Sequence, residues 1–217
     1  ADIDEAIEGV RASKFRNNGQ TCVCANRIYV HESILDKFIN RFREETKRLV
    51  VGDGLEPETQ IGPLIDEAAY KKVTDHIEDA VRKGAKIECG GNRITDLQDG
   101  YFIRPTVLSG VTEDMKIMKE ETFGPVAPVI SFQDTDDVIE RANNTPYGLA
   151  AYIFTKNLQT AITVSERLEY GIVGVNDGLP SVAQAPFGGY KESGLGREGG
   201  HHGIEEFLEV KYVSIKI

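Results

Sequence analysis

The sequence predicts an α/β fold, a mostly parallel sheet covered by helices. Residues 126–132, 149–154 and 172–175 are nearly continuous apolar runs, the pattern of strands covered on both faces. Amphipathic stretches at about 135–142 and 158–168 lie between them, so the order is strand, helix, strand, helix, strand. That order favours a parallel core with right-handed crossovers.

The remaining elements follow from local pattern. Ile3, Ile7 and Val10 recur at helical spacing in 3–17, a helix that leads toward Cys22. Arg27-Ile28-Tyr29-Val30 reads as a strand. Ser33 is a suitable N-cap for a helix whose apolar face is Ile34, Leu35, Phe38, Ile39 and Phe42, with Gly52 beyond its end. Asp66 starts another, with Ala69, Val73, Ile77 and Val81 in register and Gly84 as its stop. A short strand at 85–88 follows. Another is expected over 102–108, where Pro105 restricts it to an edge or an irregular section. The last six residues, Tyr212-Val213-Ser214-Ile215-Lys216-Ile217, alternate polar and apolar, a strand with one wet face. One reading makes it an edge strand of the same sheet.

Composition limits the function classes. A chain of 217 residues can bury one sizeable core, and 40% hydrophobic with 28% charged residues is ordinary for a soluble globular protein. The net charge of −10 argues against nucleic acid and anionic membrane as partners, since both reward clustered Lys and Arg. No apolar run approaches the roughly 18 residues that span a bilayer. Three cysteines, two of them one residue apart, do not make a secreted disulfide framework and suit a reducing, cytoplasmic compartment. Ala1-Asp2-Ile3-Asp4-Glu5 is neither a signal peptide nor a starting methionine, so the chain reads as cut from something longer.

Chemistry concentrates at Phe15-Arg16-Asn17-Asn18-Gly19-Gln20-Thr21-Cys22. A thiol just after a Gly-containing turn is placed to attack carbonyl carbon, if nearby N–H groups or cations lower its pKa from about 8.5. The alternative is an inert buried cysteine. Arg16 offers paired hydrogen bonds to a carboxylate. Cys24 could form a strained, redox-regulatory disulfide with Cys22, or half of a Cys-x-Cys zinc site. His31, His76 and His201-His202 show no ligand spacing, so no metal is expected. Gly194-Leu195-Gly196-Arg197-Glu198-Gly199 matches Gly-x-Gly-x-x-Gly, but its lead-in is Lys191-Glu192-Ser193 and no βαβ unit follows, which leaves a glycine-rich wall of the site.

Three motifs in order resemble the aldehyde dehydrogenase family: Phe-x-x-x-Gly-Gln-x-Cys ending at Cys22, Glu120-Glu121-Thr122-Phe123-Gly124-Pro125, and Pro186-Phe187-Gly188-Gly189-Tyr190-Lys191-Glu192-Ser193-Gly194. The resemblance runs from about Asp2 to Ile217 and is closer to the succinate-semialdehyde dehydrogenases, through Lys14-Phe15-Arg16-Asn17, residues 19–27 and residues 194–199. It implies Cys22 as catalytic nucleophile, Glu121 on the nicotinamide ribose hydroxyls and Phe123 near the ring. It also implies Arg16 and Ser181 on the far carboxylate of the substrate, Phe187 as a pocket wall, and a redox-regulatory Cys24. NAD or NADP is the implied cofactor, and a homo-oligomer the implied state. On this reading residues 1–209 are the thiol-bearing catalytic domain and 210–217 an oligomerisation strand. The NAD(P)-binding domain, the general-base glutamate and the oxyanion asparagine belong to a preceding half absent from this chain. The implied reaction is oxidation of succinic semialdehyde to succinate through a thiohemiacetal and a thioester. An aldehyde dehydrogenase for aliphatic, amino or betaine-type aldehydes, or a non-catalytic redox or interaction module, are the alternatives.

Overall fold

The computed structural model describes residues 1–94, 97 and 100–217. Helix α1 (Ile3–Phe15) is capped by Asp2, whose carboxylate accepts from the Asp4 and Glu5 amides. Strand β1 (Ile28–His31), helix α2 (Leu35–Lys47) and helix α3 (Glu67–Arg82) follow. Asp66 caps α3 by accepting from the Ala69 amide, and Gly84 takes φ +101° just past its end, a left-handed stop suited to glycine. Strands β2 (Lys86–Cys89) and β3 (Thr106–Ser109), the short helix α4 (Lys116–Lys119) and strand β4 (Val126–Phe132) complete the first layer.

These strands form one sheet in the order β1-β4-β3-β2, parallel except for the β2–β3 pair. The central strand β4 explains the apolar run at 126–132. Val126 and Ile130 pack with Leu64, Val73 and Ile77 on the α3 side, while Ala127 and Val129 pack with Ile7, Phe38 and Phe42 on the side of α1 and α2. The pleat sends alternate residues to opposite faces, and both faces are dry. Phe42 stacks against Phe15 and Phe38 at 5.9 and 5.5 Å between ring centres, which fixes α1 on α2.

The second layer differs from the expected single sheet. Helix α5 (Thr135–Asn143), strands β5 (Tyr147–Gly148) and β6 (Ala150–Ile153), helix α6 (Leu158–Arg167) and strand β7 (Ile172–Val175) do alternate as predicted. Yet β6 pairs in parallel with β7 alone and not with β4. Its residues are half-buried instead of covered on both faces. Edge strand β1 and edge strand β6 line the same cavity, of about 800 Å³.

Three local expectations are corrected. Ser33 does not cap α2: it lies in a 3-10 turn over Glu32–Ile34 whose cap is the His31 ring, accepting from the Ser33 amide. Val81 is exposed and Ala80 takes the buried place after Val73 and Ile77, because three residues and not four complete the second turn on that face. The strand expected over 102–108 begins only at Thr106, immediately after Pro105. Two short elements complete the chain, strand β8 (Tyr190–Lys191), antiparallel to β5, and helix α7 (His202–Glu205). Residues 206–217 hold no strand and are exposed, so the final alternation is not an edge strand of this sheet. No helix among the described residues is long and apolar enough to cross a membrane.

Phe42→Ala should cost about 3–5 kcal/mol in the denaturant midpoint of the full-length protein, since it empties the contact between α1, α2 and the sheet. A loss under about 1 kcal/mol would mean that this layer does not bear on the sheet.

Candidate active site

The thiol loop starts where α1 ends. Asn17, Asn18 and Gly19 take φ of +48°, +59° and +73°, a run of left-handed conformations for which Asn and Gly are the residues of lowest cost. Gly19 has a second constraint, because a Cβ there would collide with the Gly124 carbonyl. The next residue clamps the loop from its other side. Gln20 donates Nε2 to the Pro63 carbonyl at 3.3 Å and accepts from the Ile65 amide at 2.9 Å.

A turn then closes at Thr21–Cys24, with the Cys24 amide donating to the Thr21 carbonyl at 3.1 Å. Cys24 is buried, its sulfur 2.9 Å from the Thr21 hydroxyl and 3.9 Å from the Arg16 carbonyl. Cys22 is the one exposed thiol of the three, and all three are free; burial pushes the Cys89 thiol up. Beyond the turn, Arg27 donates to the carbonyls of Arg141 and Ala142 and to the Tyr170 hydroxyl. Across it, the Tyr152 hydroxyl donates to the Val23 carbonyl at 2.6 Å.

The second motif rests on α3. The fully buried His76 bonds Thr122 Oγ1 through Nδ1 at 3.1 Å and Glu120 Oε2 through Nε2 at 3.3 Å. Burial lowers its pKa against the pull of Glu120. Phe123 sits at φ +51°, costly for a bulky residue, and a Cβ on Gly124 would enter Val73. Glu121 is left exposed between these anchors, and it lines the same cavity as Cys22.

The third motif is a clamp. Lys191 holds the carbonyls of Asn143 and Thr145 and the Glu169 carboxylate, and Ser193 Oγ accepts from the Gly148 amide. Phe187 and Glu198 exchange two backbone bonds of 2.7 Å. Ser181 is exposed and Phe187 half-buried, and neither is among the residues lining the cavity with Cys22. Residues 194–199 hold bends and the Phe187–Glu198 bridge, with the four-residue helix α7 beginning at His202, and none of them is among the residues lining the cavity with Cys22. His201, His202 and Glu205 bring their ligand atoms within 4.8 Å of one another at the surface, a convergence the spacing of the His pair did not suggest, because Glu205 is one helical turn away.

Arg16 is exposed beside the thiol loop. Burial raises the Tyr152 pKa most, with the Cys24 and Cys22 sulfurs adding and Arg16 opposing, so these groups share one neighbourhood. Gln20, His76 and Tyr152 escaped sequence reasoning; the signal for Tyr152 was a polar tip inside an apolar strand. Lys14 escaped it too. It is fully buried, its ammonium has no hydrogen-bond partner among the described residues, and burial pulls its pKa down to about 8.

The fold is a mostly parallel α/β domain that presents one exposed thiol on a clamped turn, at a cavity that the exposed Glu121 also lines. The chain is a member of the aldehyde dehydrogenase family, whose profile matches residues 1–213. It is 53% identical over 215 residues to the Escherichia coli succinate-semialdehyde dehydrogenase [NADP(+)] GabD, covering 99% of this chain and 44% of that protein. It is 51% identical over 217 residues to a Pseudomonas putida glutarate-semialdehyde dehydrogenase, with 100% and 44% coverage. The structure of an E. coli NADP-dependent enzyme superposes with a TM-score of 0.96 at 52% identity, covering 100% of this chain and 45% of that one. The chain thus spans under half the length of the relatives it matches.

Lys14→Met should stabilise the full-length protein at pH 7. The folded pKa is near 8 against a usual 10.5, so below 8 the native state holds a buried ammonium that the unfolded state solvates freely. The advantage should shrink as pH rises from 8 to 10.5, where the native lysine loses its proton first. Urea midpoints at pH 7 and pH 10 check this; an equal difference at both would mean that the ammonium is solvated in place.

Proposed function

We propose that this chain is the thiol-bearing part of a succinate-semialdehyde dehydrogenase. The observation that carries the reading is the contrast among the cysteines: Cys22 is exposed on a clamped turn facing a cavity, whereas Cys24 and Cys89 are buried. Cys22 as thiolate adds to the aldehyde carbon, forming an S–C bond and placing negative charge on the former carbonyl oxygen. Backbone N–H donors are the groups suited to hold that oxygen. Loss of the aldehyde hydrogen as hydride, for which a nicotinamide dinucleotide would be the acceptor, would leave a thioester on Cys22, and water would cleave it to release the acid and return the thiolate.

The residues present suit a nicotinamide dinucleotide. Glu121 is an exposed carboxylate on the Cys22 cavity, an acceptor of the kind ribose hydroxyls need, and Phe123 offers an aromatic face in a conformation its neighbours impose. When bound, NAD or NADP supplies the hydride acceptor. Both relatives named above act, by their names, on an aldehyde whose far end is a carboxylate. Arg16, an exposed guanidinium six positions from the nucleophile, supports the same substrate class here, with Ser181 as a second contact and Phe187 as a wall. The five-carbon semialdehyde is the second reading, favoured by the names of glutarate-semialdehyde dehydrogenase relatives.

The exposed, alternating residues 210–217 suit pairing with another copy of the chain, so removing them should lower the oligomeric state seen by light scattering. In the full-length protein Cys22→Ala should abolish aldehyde oxidation. Cys24→Ala should keep most of it and lose sensitivity to mild peroxide. Arg16→Ala should cut kcat/KM for succinic semialdehyde roughly 10- to 150-fold, from about 1.5–3 kcal/mol, and a neutral aldehyde much less. Arg16→Lys should recover part of the loss. Equal loss on both substrates would remove the carboxylate from the proposal.

A further inference from the structure

We propose that Tyr152 is a positioning residue for the nucleophile, its hydroxyl holding the Val23 carbonyl and thereby the turn that aims Cys22 into the cavity. This rests on the reading of Cys22 as nucleophile. The residues from Thr21 to Ala25 hold themselves together through the Cys24 amide, the Thr21 hydroxyl and the Cys24 sulfur, all bonded within residues 16–24. Gln20 anchors the start of the turn to Pro63 and Ile65, and within residues 21–25 the only hydrogen bond among the described residues that reaches beyond the loop is the one from Tyr152. Its 2.6 Å length is at the short end for O–H···O.

The ring is seated for this task. Tyr152 lies opposite Gly174 in the β6–β7 register, where a Cβ would meet the Asp177 carbonyl at 2.3 Å and stand 3.1 Å from the Tyr152 ring. A side chain there would crowd the ring as well as the backbone. From β6 the hydroxyl reaches the peptide unit that joins Val23 to Cys24, one residue beyond the nucleophile. Burial keeps this phenol a donor across the working pH range, and the nearby sulfurs reinforce the effect. Without the hydroxyl, a half-buried carbonyl loses its partner and the peptide between Cys22 and Cys24 is free to tilt. A thiol displaced by about 1 Å from the line of attack loses rate on the order of 100-fold.

The test uses the full-length enzyme. Tyr152→Phe should lower kcat for the aldehyde about 5- to 100-fold, with KM changed less than about twofold. Alkylation of Cys22 by iodoacetamide, which needs an accessible thiolate and no particular approach, should stay within about twofold of wild type. Replacing Tyr152 with p-aminophenylalanine, which restores a donor at the same reach, should recover most of the turnover. Unchanged turnover in Tyr152→Phe, an equal fall in turnover and alkylation, or no recovery with the amino analogue would each overturn the proposal. If Cys22→Ala is inactive while Tyr152→Phe is not, Tyr152 alone is refuted. If Cys22→Ala retains full activity, the nucleophile reading falls and this proposal with it.

Discussion

The thiol loop and the segment 120–125 meet backbone to backbone at Gly19 and Gly124, and neither glycine has room for a Cβ. That close approach is what makes a site out of two separate motifs. It pulls the end of α1 onto the segment that α3 supports through His76 and Val73. The left-handed run at Asn17 to Gly19 and the positive φ of Phe123 are the local costs of the approach, each on the order of 1–3 kcal/mol where the residue is not glycine. The two packed faces of β4 offset them, since α1 and α3 lie on opposite sides of the sheet and cannot shift independently.

The legible parts of the sequence were those governed by one rule at a time. Asp66 with Gly84 marks both ends of α3, and the apolar run at 126–132 marks a strand dry on both faces. Where two rules competed, the pattern misled. Ser33 is a good cap by type, but the His31 ring engages its hydroxyl at 2.8 Å and caps the 3-10 turn that contains it. The apolar residues of β6 satisfy the pattern of a buried central strand, yet tertiary contacts leave them half-covered beside a cavity.

The site was legible in its motifs and opaque in its reasons. Nothing in the spacing of Gln20 shows that its amide spans to residues 63 and 65, a distance along the chain that only folding closes. Nothing in the third motif shows why its glycines are needed: a Cβ on Gly188 would meet the Gly196 carbonyl and the Arg197 side chain, and a Cβ on Gly171 would meet the Gly188 carbonyl. Lys14 shows the opposite limit. Its residue type suits a surface position, but its spacing, four after Val10 and seven after Ile7, continues the apolar face of α1, and the structure buries it there without a hydrogen-bond partner among the described residues.

The cavity between β1 and β6 sets on the walls of one space two strand edges that are unpaired among the described residues. An open edge is a template that any extended backbone can complete, and natural sheets blunt or cover theirs. Here β1 leads out of the thiol turn and β6 carries Tyr152, so both edges are joined, by chain or by hydrogen bond, to residues beside Cys22. A preparation of residues 1–217 with these edges bare is a candidate for self-recruitment into oligomers through β-pairing, and its thiol chemistry would then report on aggregation as much as on the site.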